Sequence, residues 1–142
     1  MPQATNGREF VVRLPDGADL VASLRGLPIR SAIIAAGIGM VRNLRLGYWD
    51  GRVYRETTVS EPCELLSMQG TIASSPEGPF VHCHIAVAGR DGTARGGHLL
   101  SATVENTAEI ALLLVPGIRL ERRAEGERPS VLFPSAEGGS GT

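Results

Sequence analysis

Lysine is absent from this 142-residue sequence, and all 14 basic residues are arginine. Schiff-base chemistry on a lysine amine is thereby excluded. A basic excess is lacking too, because 15 acidic residues leave a net charge of −1 and a pI near 6.3. A domain that grips nucleic acid through its phosphates usually carries a strong positive excess, often with a pI above about 9, since counterion release drives such binding. The charge is unevenly spread, at +3 up to Ser60 and −4 from Glu61 to Thr142. Cysteine is scarce: Cys63 and Cys83 cannot build a disulfide framework, and each lies in an apolar, strand-like run where a buried thiol is the usual state. No bridge between them is expected. No apolar run approaches the roughly 18 residues that span a bilayer, and the N-terminus has neither a basic start nor an apolar signal core. The expectation is a soluble, cytoplasmic protein with no membrane partner.

What is present is ordinary globular composition, 42% hydrophobic and 20% charged, in a length suited to one domain that hides about 70% of its unfolded surface. Residues 1–7 read as a flexible leader, 8–134 as a single domain, and 135–142 as a flexible Gly/Ser tail. Arg8 to Leu14 reads as a strand stopped by Pro15-Asp16-Gly17. Leu20, Leu24 and Leu27 recur at helical spacing, with Asp16 or Asp19 to cap the start and Gly26 with Pro28 to end it. The continuous apolar run Ser31 to Ala36 predicts a central strand covered on both faces. Asp50-Gly51 and Arg90-Asp91-Gly92 mark two hairpins, the first joining Val41–Trp49 to Val53–Val59 and the second joining Phe80–Ala88 to Ala94–Val104. Glu64 to Ile72 predicts a further strand before a loop through Ser74–Pro79. Ala108 to Val115 fits helix or strand by periodicity alone, and Pro116-Gly117, cutting it at eight residues, favours strand; Val131-Leu132-Phe133 reads as a last extended piece. The fold class is therefore α+β, a largely antiparallel β-sheet with one short helix near the N-terminus packed on it.

All three histidines fall in the second hairpin, in Phe80-Val81-His82-Cys83-His84-Ile85 and Gly96-Gly97-His98. Residues two apart in a strand share a face, so His82 and His84 point together while Cys83 points away. A turn centred on Asp91 sets His98 directly opposite His84, with Cβ atoms about 4.5–5.5 Å apart. Imidazole nitrogen suits zinc or another late first-row divalent ion, and three protein ligands with an open fourth position is the pattern of catalytic zinc. His82, His84 and His98 are the candidate metal ligands. Gly96 and Gly97 permit a bulge or a close backbone approach that aims His98. The plainer reading is three polar strand residues hydrogen-bonded in a cleft or a subunit interface.

Gly37-Ile38-Gly39 follows an apolar strand as a dinucleotide fingerprint does, yet Met40-Val41-Arg42 supplies no third glycine and no helix follows. Arg42, Arg45, Arg52 and Arg55 straddle the Asp50-Gly51 hairpin with Tyr48, Trp49 and Tyr54, a candidate surface for an anion or a nucleic acid. Glu64 and Glu105 are the carboxylates open to supporting or general-base work near the histidines. No Ser-His-Asp order, paired metal-spaced cysteines or P-loop occurs.

Taken together, Gly37-Ile38-Gly39, the stretch from Glu64 to Ile72, His82-Cys83-His84, Asp91-Gly92, Gly96-Gly97-His98-Leu99 and Thr107-Ala108-Glu109 resemble the PPC (plants and prokaryotes conserved) domain over Arg8 to Arg123. The resemblance implies an α+β subunit assembled as a homotrimer, with a metal site, zinc by preference, at His82, His84 and His98. It implies a stand-alone regulatory or DNA-binding module whose partners are its own copies and DNA, a partner protein or a small-molecule ligand. Plant members of the family carry an AT-hook; the only Arg-Pro here, Arg128-Pro129, lies beside Glu125 and Glu127, acids that disfavour the minor groove. The alternative is a metal-dependent enzyme of hydrolase or lyase type, working through a histidine-bound metal and water.

Overall fold

Alternation of apolar and polar residues, the period of an extended chain, recurs along this sequence, and strands make up most of the structure. The computed structural model describes residues 1–138. Phe10, Val12 and Leu14 alternate inward along β2 (Glu9–Pro15). Gly17, at φ +81°, turns the chain into α1 (Leu20–Arg25). Asp19 caps this helix, its Oδ1 accepting from the Ala22 N–H at 2.9 Å, and Leu20 and Leu24 face the core. The chain continues through β3 (Ala32–Trp49), β4 (Tyr54–Val59), β5 (Cys63–Ser75), β6 (Gly78–Ala88), β7 (Ala94–Leu113), β8 (Ile118–Glu125) and β9 (Arg128–Ala136).

The strand order is β1-β2-β7-β3-β5-β8-β9, where β1 is Gln3–Thr5, with β4 added on β3 and β6 joining β5 to β7. The pairs β3–β5, β5–β6, β6–β7 and β7–β3 close into a ring. Among the described residues every strand pairing is antiparallel except β5 with β8, which meet in parallel at Ser74 and Glu121. The result is the expected mostly antiparallel sheet with one short helix. Its core is a single cluster in which Leu14, Leu20, Leu24, Ile34, Met68, Ile72 and Leu112 are fully buried. Burying each such side chain contributes about 1.5–3 kcal/mol.

Several details depart from the sequence expectations. Ser31–Ala36 and Val41–Trp49 fuse into the single strand β3, and Ala94–Val104 and Ala108–Val115 largely into β7. Register shifts along the β3–β7 pair, with Asn43 and Asn106 at positive φ, let both long strands bend without breaking. The loop at Ser74–Pro79 is only a tight turn, since β5 runs to Ser75 and β6 begins at Gly78. Within the reach of the supposed leader, Gln3–Thr5 pairs with Phe10–Val12. At the other end Ser135 and Ala136 complete β9, while 139–142 of the expected tail lie outside the described residues. The run at Ala32–Ala36 is covered on one face only. Register places Val11, Ala111 and Ala36 in one row and Leu113 and Ile33 in the next, with Ile38 on the same face. There Val11 is 52% and Ile38 55% exposed. No helix among the described residues is long and apolar enough to cross a membrane.

Candidate metal centre

The turn between β6 and β7 fixes the site. Asp91 Oδ1 accepts from the Thr93 N–H at 2.9 Å, Gly92 adopts φ +79°, and its N–H donates to the Gly89 carbonyl at 2.9 Å. The ladder then runs without a shift from Ala88 opposite Ala94 to His84 opposite His98. Cys83 and Ile85 point into the core, so His82 and His84 face outward. Gly96 and Gly97 make no bulge in this ladder; they serve close approach. A Cβ at Gly96 would lie 2.7 Å from the Ile85 carbonyl oxygen, and one at Gly97 3.1 Å from that of Gly47.

Register also brings Thr71 opposite His82 and Gln69 opposite His84 on β5. Gly70 between them allows the two strands to close, since a Cβ there would sit 2.7 Å from the Cys83 Cα. The three imidazoles thus converge: one ring nitrogen from each of His82, His84 and His98 lies within 4.8 Å of the others. The ring centroids are 5.2, 5.0 and 5.5 Å apart. Zinc–nitrogen bonds are about 2.0–2.1 Å, so small side-chain rotations bring three such nitrogens onto one ion. The donor set and its spacing therefore fit a late first-row divalent ion bound by three imidazoles with a further position open.

Electrostatics favour the same use. Burial first, then the Arg122 charge and the neighbouring imidazoles, hold the His82 pKa down to about 4. Burial and His84 lower that of His98. Both rings are neutral near pH 7, the form that ligates metal. Cys83, by contrast, is pushed up to about 12 by burial and faces the core, so it adds no thiolate. Both cysteines are free and buried.

Sequence reasoning missed Arg122. It belongs to β8, and its Nη2 lies 3.1 Å from His82 Nδ1 and donates to Thr71 Oγ1 at 3.1 Å. The side chain is nine-tenths buried, and burial lowers its pKa. The available signal was the alternation in Leu120-Glu121-Arg122, which turns Arg122 to the same side as the buried Leu120. A hollow of about 500 Å³ opens beside the cluster, walled by Trp49, Tyr54, Phe80 and Val131 and reached by His82, His98 and Arg122. The Tyr54 ring lies 4.7 Å from that of His98. A smaller hollow, about 210 Å³, lies between Gln69, Thr71, His82, His84 and Arg122.

The other candidates lie apart from the cluster. Arg42 is held by Asp16 at 2.9 Å and by Glu105, Arg45 by Glu56 at 2.6 Å, and Arg55 by Asp50 at 2.7 Å. Arg52 sits at the tip of the β3–β4 hairpin, where its backbone N–H donates to Asp50 Oδ1. Glu105 is thus engaged with Arg42, and Glu64 lines a separate hollow with Met40 and Glu61. Gly37-Ile38-Gly39 is strand interior: a Cβ at Gly37 would lie 2.8 Å from that of Met68, and Gly39 packs against the Thr107 carbonyl.

Solved structures share this architecture. A plant- and prokaryote-conserved protein of Pyrococcus horikoshii is 28% identical, with a TM-score of 0.80 over 93% of each chain. A metal-containing protein of Archaeoglobus fulgidus is 33% identical, with a TM-score of 0.78 over 89% of this chain and 93% of that one. A protein of Ralstonia eutropha, whose name provisionally assigns it DNA binding, is 26% identical with a TM-score of 0.82 over 92% and 94%. The bifunctional protein GlmU of a Synechococcus strain is 32% identical over 110 residues, which span 74% of this chain but 17% of that protein. The profile of the Plants and Prokaryotes Conserved (PCC) domain matches residues 1–115, and the chain belongs to that family.

Proposed function

We propose that this chain is a stand-alone regulatory binding module that holds a divalent metal, zinc by preference, on His82, His84 and His98. The observation that carries the reading is the convergence of three ring nitrogens within 4.8 Å on the outer face of the β6–β7 hairpin. The similarity to the metal-containing Archaeoglobus protein supports it. A bound ion would supply a Lewis-acidic centre there; in the ion-free chain Arg122 donates to both His82 and Thr71, and Trp49, Tyr54 and Phe80 wall the adjoining hollow. The module acts as a homotrimer in the cytoplasm, where buried free thiols stay reduced. The exposed face that carries Val11, Ile33, Ile38 and Leu113, with Arg13 and Glu109 in the row of Ile38, supports self-association, because exposed apolar surface marks an interaction face.

DNA is the macromolecular partner favoured by the name of the Ralstonia relative. In that role Arg42, Arg45 and Arg55 exchange their carboxylate partners for phosphates and Arg52 joins them at the hairpin tip, which makes retention on duplex DNA fall as salt is added. A metal-dependent hydrolase or lyase is the second reading, favoured by the hollow beside the cluster. Among the described residues neither hollow at the histidines is lined by a carboxylate that could serve as general base, and this ranks binding above catalysis.

Elemental analysis of the purified protein, with and without His84→Ala, tests the reading. The expected result is one ion per chain in the natural sequence and its loss in the variant. Protein that takes up no zinc contradicts it.

A further inference from the structure

Arg122 carries a buried positive charge that no acidic group among the described residues neutralises. Its partners among the described residues are all neutral: the Ser130 carbonyl at 3.4 Å, Thr71 Oγ1 at 3.1 Å, His82 Nδ1 at 3.1 Å and the Phe80 ring, whose centroid lies 5.4 Å from Cζ. Its Nε has no hydrogen-bond partner among the described residues. A guanidinium that is nine-tenths buried without an anion is costly, and such groups are normally paired. Arg122 lines both hollows beside the histidines, and neither is lined by an acidic residue. The larger one adds a second arginine, Arg128, and walls of Trp49, Tyr54 and Phe80, and its volume of about 500 Å³ is that of a small-molecule site.

Metal binding sharpens the demand. A guanidinium only donates hydrogen bonds, so His82 Nδ1 must accept from Arg122. A ring that binds an ion through Nδ1 has no lone pair left there, and one that binds through Nε2 must carry its proton on Nδ1. In either case Arg122 loses His82 as an acceptor when the ion arrives. The ion also adds positive charge beside it.

From this we infer that the hollow is a site for a small organic carboxylate with a flat apolar body, its carboxylate taken by Arg122 and its body by Trp49, Tyr54 and Phe80. The inference rests on the metal reading only for the coupling: the ion and the carboxylate bind each other's complex more tightly, by the same factor in both directions.

Trp49 is the sole tryptophan and lines the hollow, so its fluorescence reports occupancy. The full chain, metal-free and zinc-loaded, is titrated with sodium benzoate and with benzamide, a neutral probe of the same shape. The expected result is saturable binding of benzoate, about tenfold or more tighter than benzamide, as loss of a charged hydrogen-bond pair implies. Binding tightens further when zinc is present. Arg122→Gln weakens benzoate by a similar factor and leaves benzamide unchanged. Equal binding of the two probes by the natural sequence overturns the carboxylate site whether or not the variant folds. Unchanged benzoate binding in a folded Arg122→Gln chain overturns it as well. A chain that takes up no zinc but still prefers benzoate through Arg122 supports the site and overturns the metal reading alone.

Discussion

Gly70 of β5 packs its bare Cα against the carbonyl of His82 on β6, so closely that a Cβ at Gly70 would overlap that oxygen. The absent side chain is what lets β5 lie flat beneath the strand that carries two of the three histidines. Gly70→Ala forces the pair apart at His82, and backbone on both sides leaves little room to yield. The substitution is expected to cost about 1–3 kcal/mol, the range for overpacking a well-packed site. It also weakens zinc uptake, because His82 moves away from His84 and His98. Denaturant unfolding and a zinc titration of the same preparation check both effects; an unchanged midpoint with unchanged uptake contradicts the account.

The metal-free chain is expected to lose stability in weak acid. Burial and the Arg122 charge depress the folded-state pKa of His82 to about 4, and that of His98 is lowered as well. In the unfolded chain both rings titrate near 6.5. Between those values the unfolded state binds more protons, so stability rises with pH across that window. The histidine contribution is fully present above about pH 6.5 and is lost as pH falls toward 4. Thermal melts of chelator-treated protein between pH 7 and pH 4 measure this, and His82→Gln flattens the slope. A melting temperature that climbs as pH falls from 6.5 refutes the assignment.

Charge on the open apolar face is expected to dissolve the assembly. Ile38 and Leu113 are 55% and 41% exposed on the face that carries Val11 and Ile33. Sedimentation of the natural sequence gives the mass of three chains, and Ile38→Glu with Leu113→Glu gives the mass of one, with the far-ultraviolet spectrum preserved. A natural sequence that sediments as a single chain ends the homotrimer proposal.

The hairpin holding the histidines was legible in the sequence because local chemistry sets it. Asp91-Gly92 fixes the turn, strand alternation fixes the faces, and register follows, so His84 stands opposite His98 as the spacing predicted. Asp19 and the spaced leucines marked the one helix for the same reason. What the sequence concealed is long-range. The bends that keep β3 and β7 continuous lie at Asn43 and Asn106, where register shifts between the paired strands absorb positive φ, and a shift of that kind depends on the partner strand. Arg122 reaches His82 across 40 residues of chain, through the single parallel contact of β5 with β8. The hairpin arginines appeared as free charge, but Glu105 meets Arg42 from 63 residues away. Contacts of that separation leave no periodic trace.

Zinc-edge X-ray absorption of the loaded protein tests the central claim most directly, since it reads the ligands around the ion itself. The account predicts three imidazole nitrogens at about 2.0–2.1 Å, no sulfur, and loss of one imidazole in His98→Ala. A sulfur ligand at about 2.3 Å, or fewer than three imidazoles in the natural sequence, contradicts it.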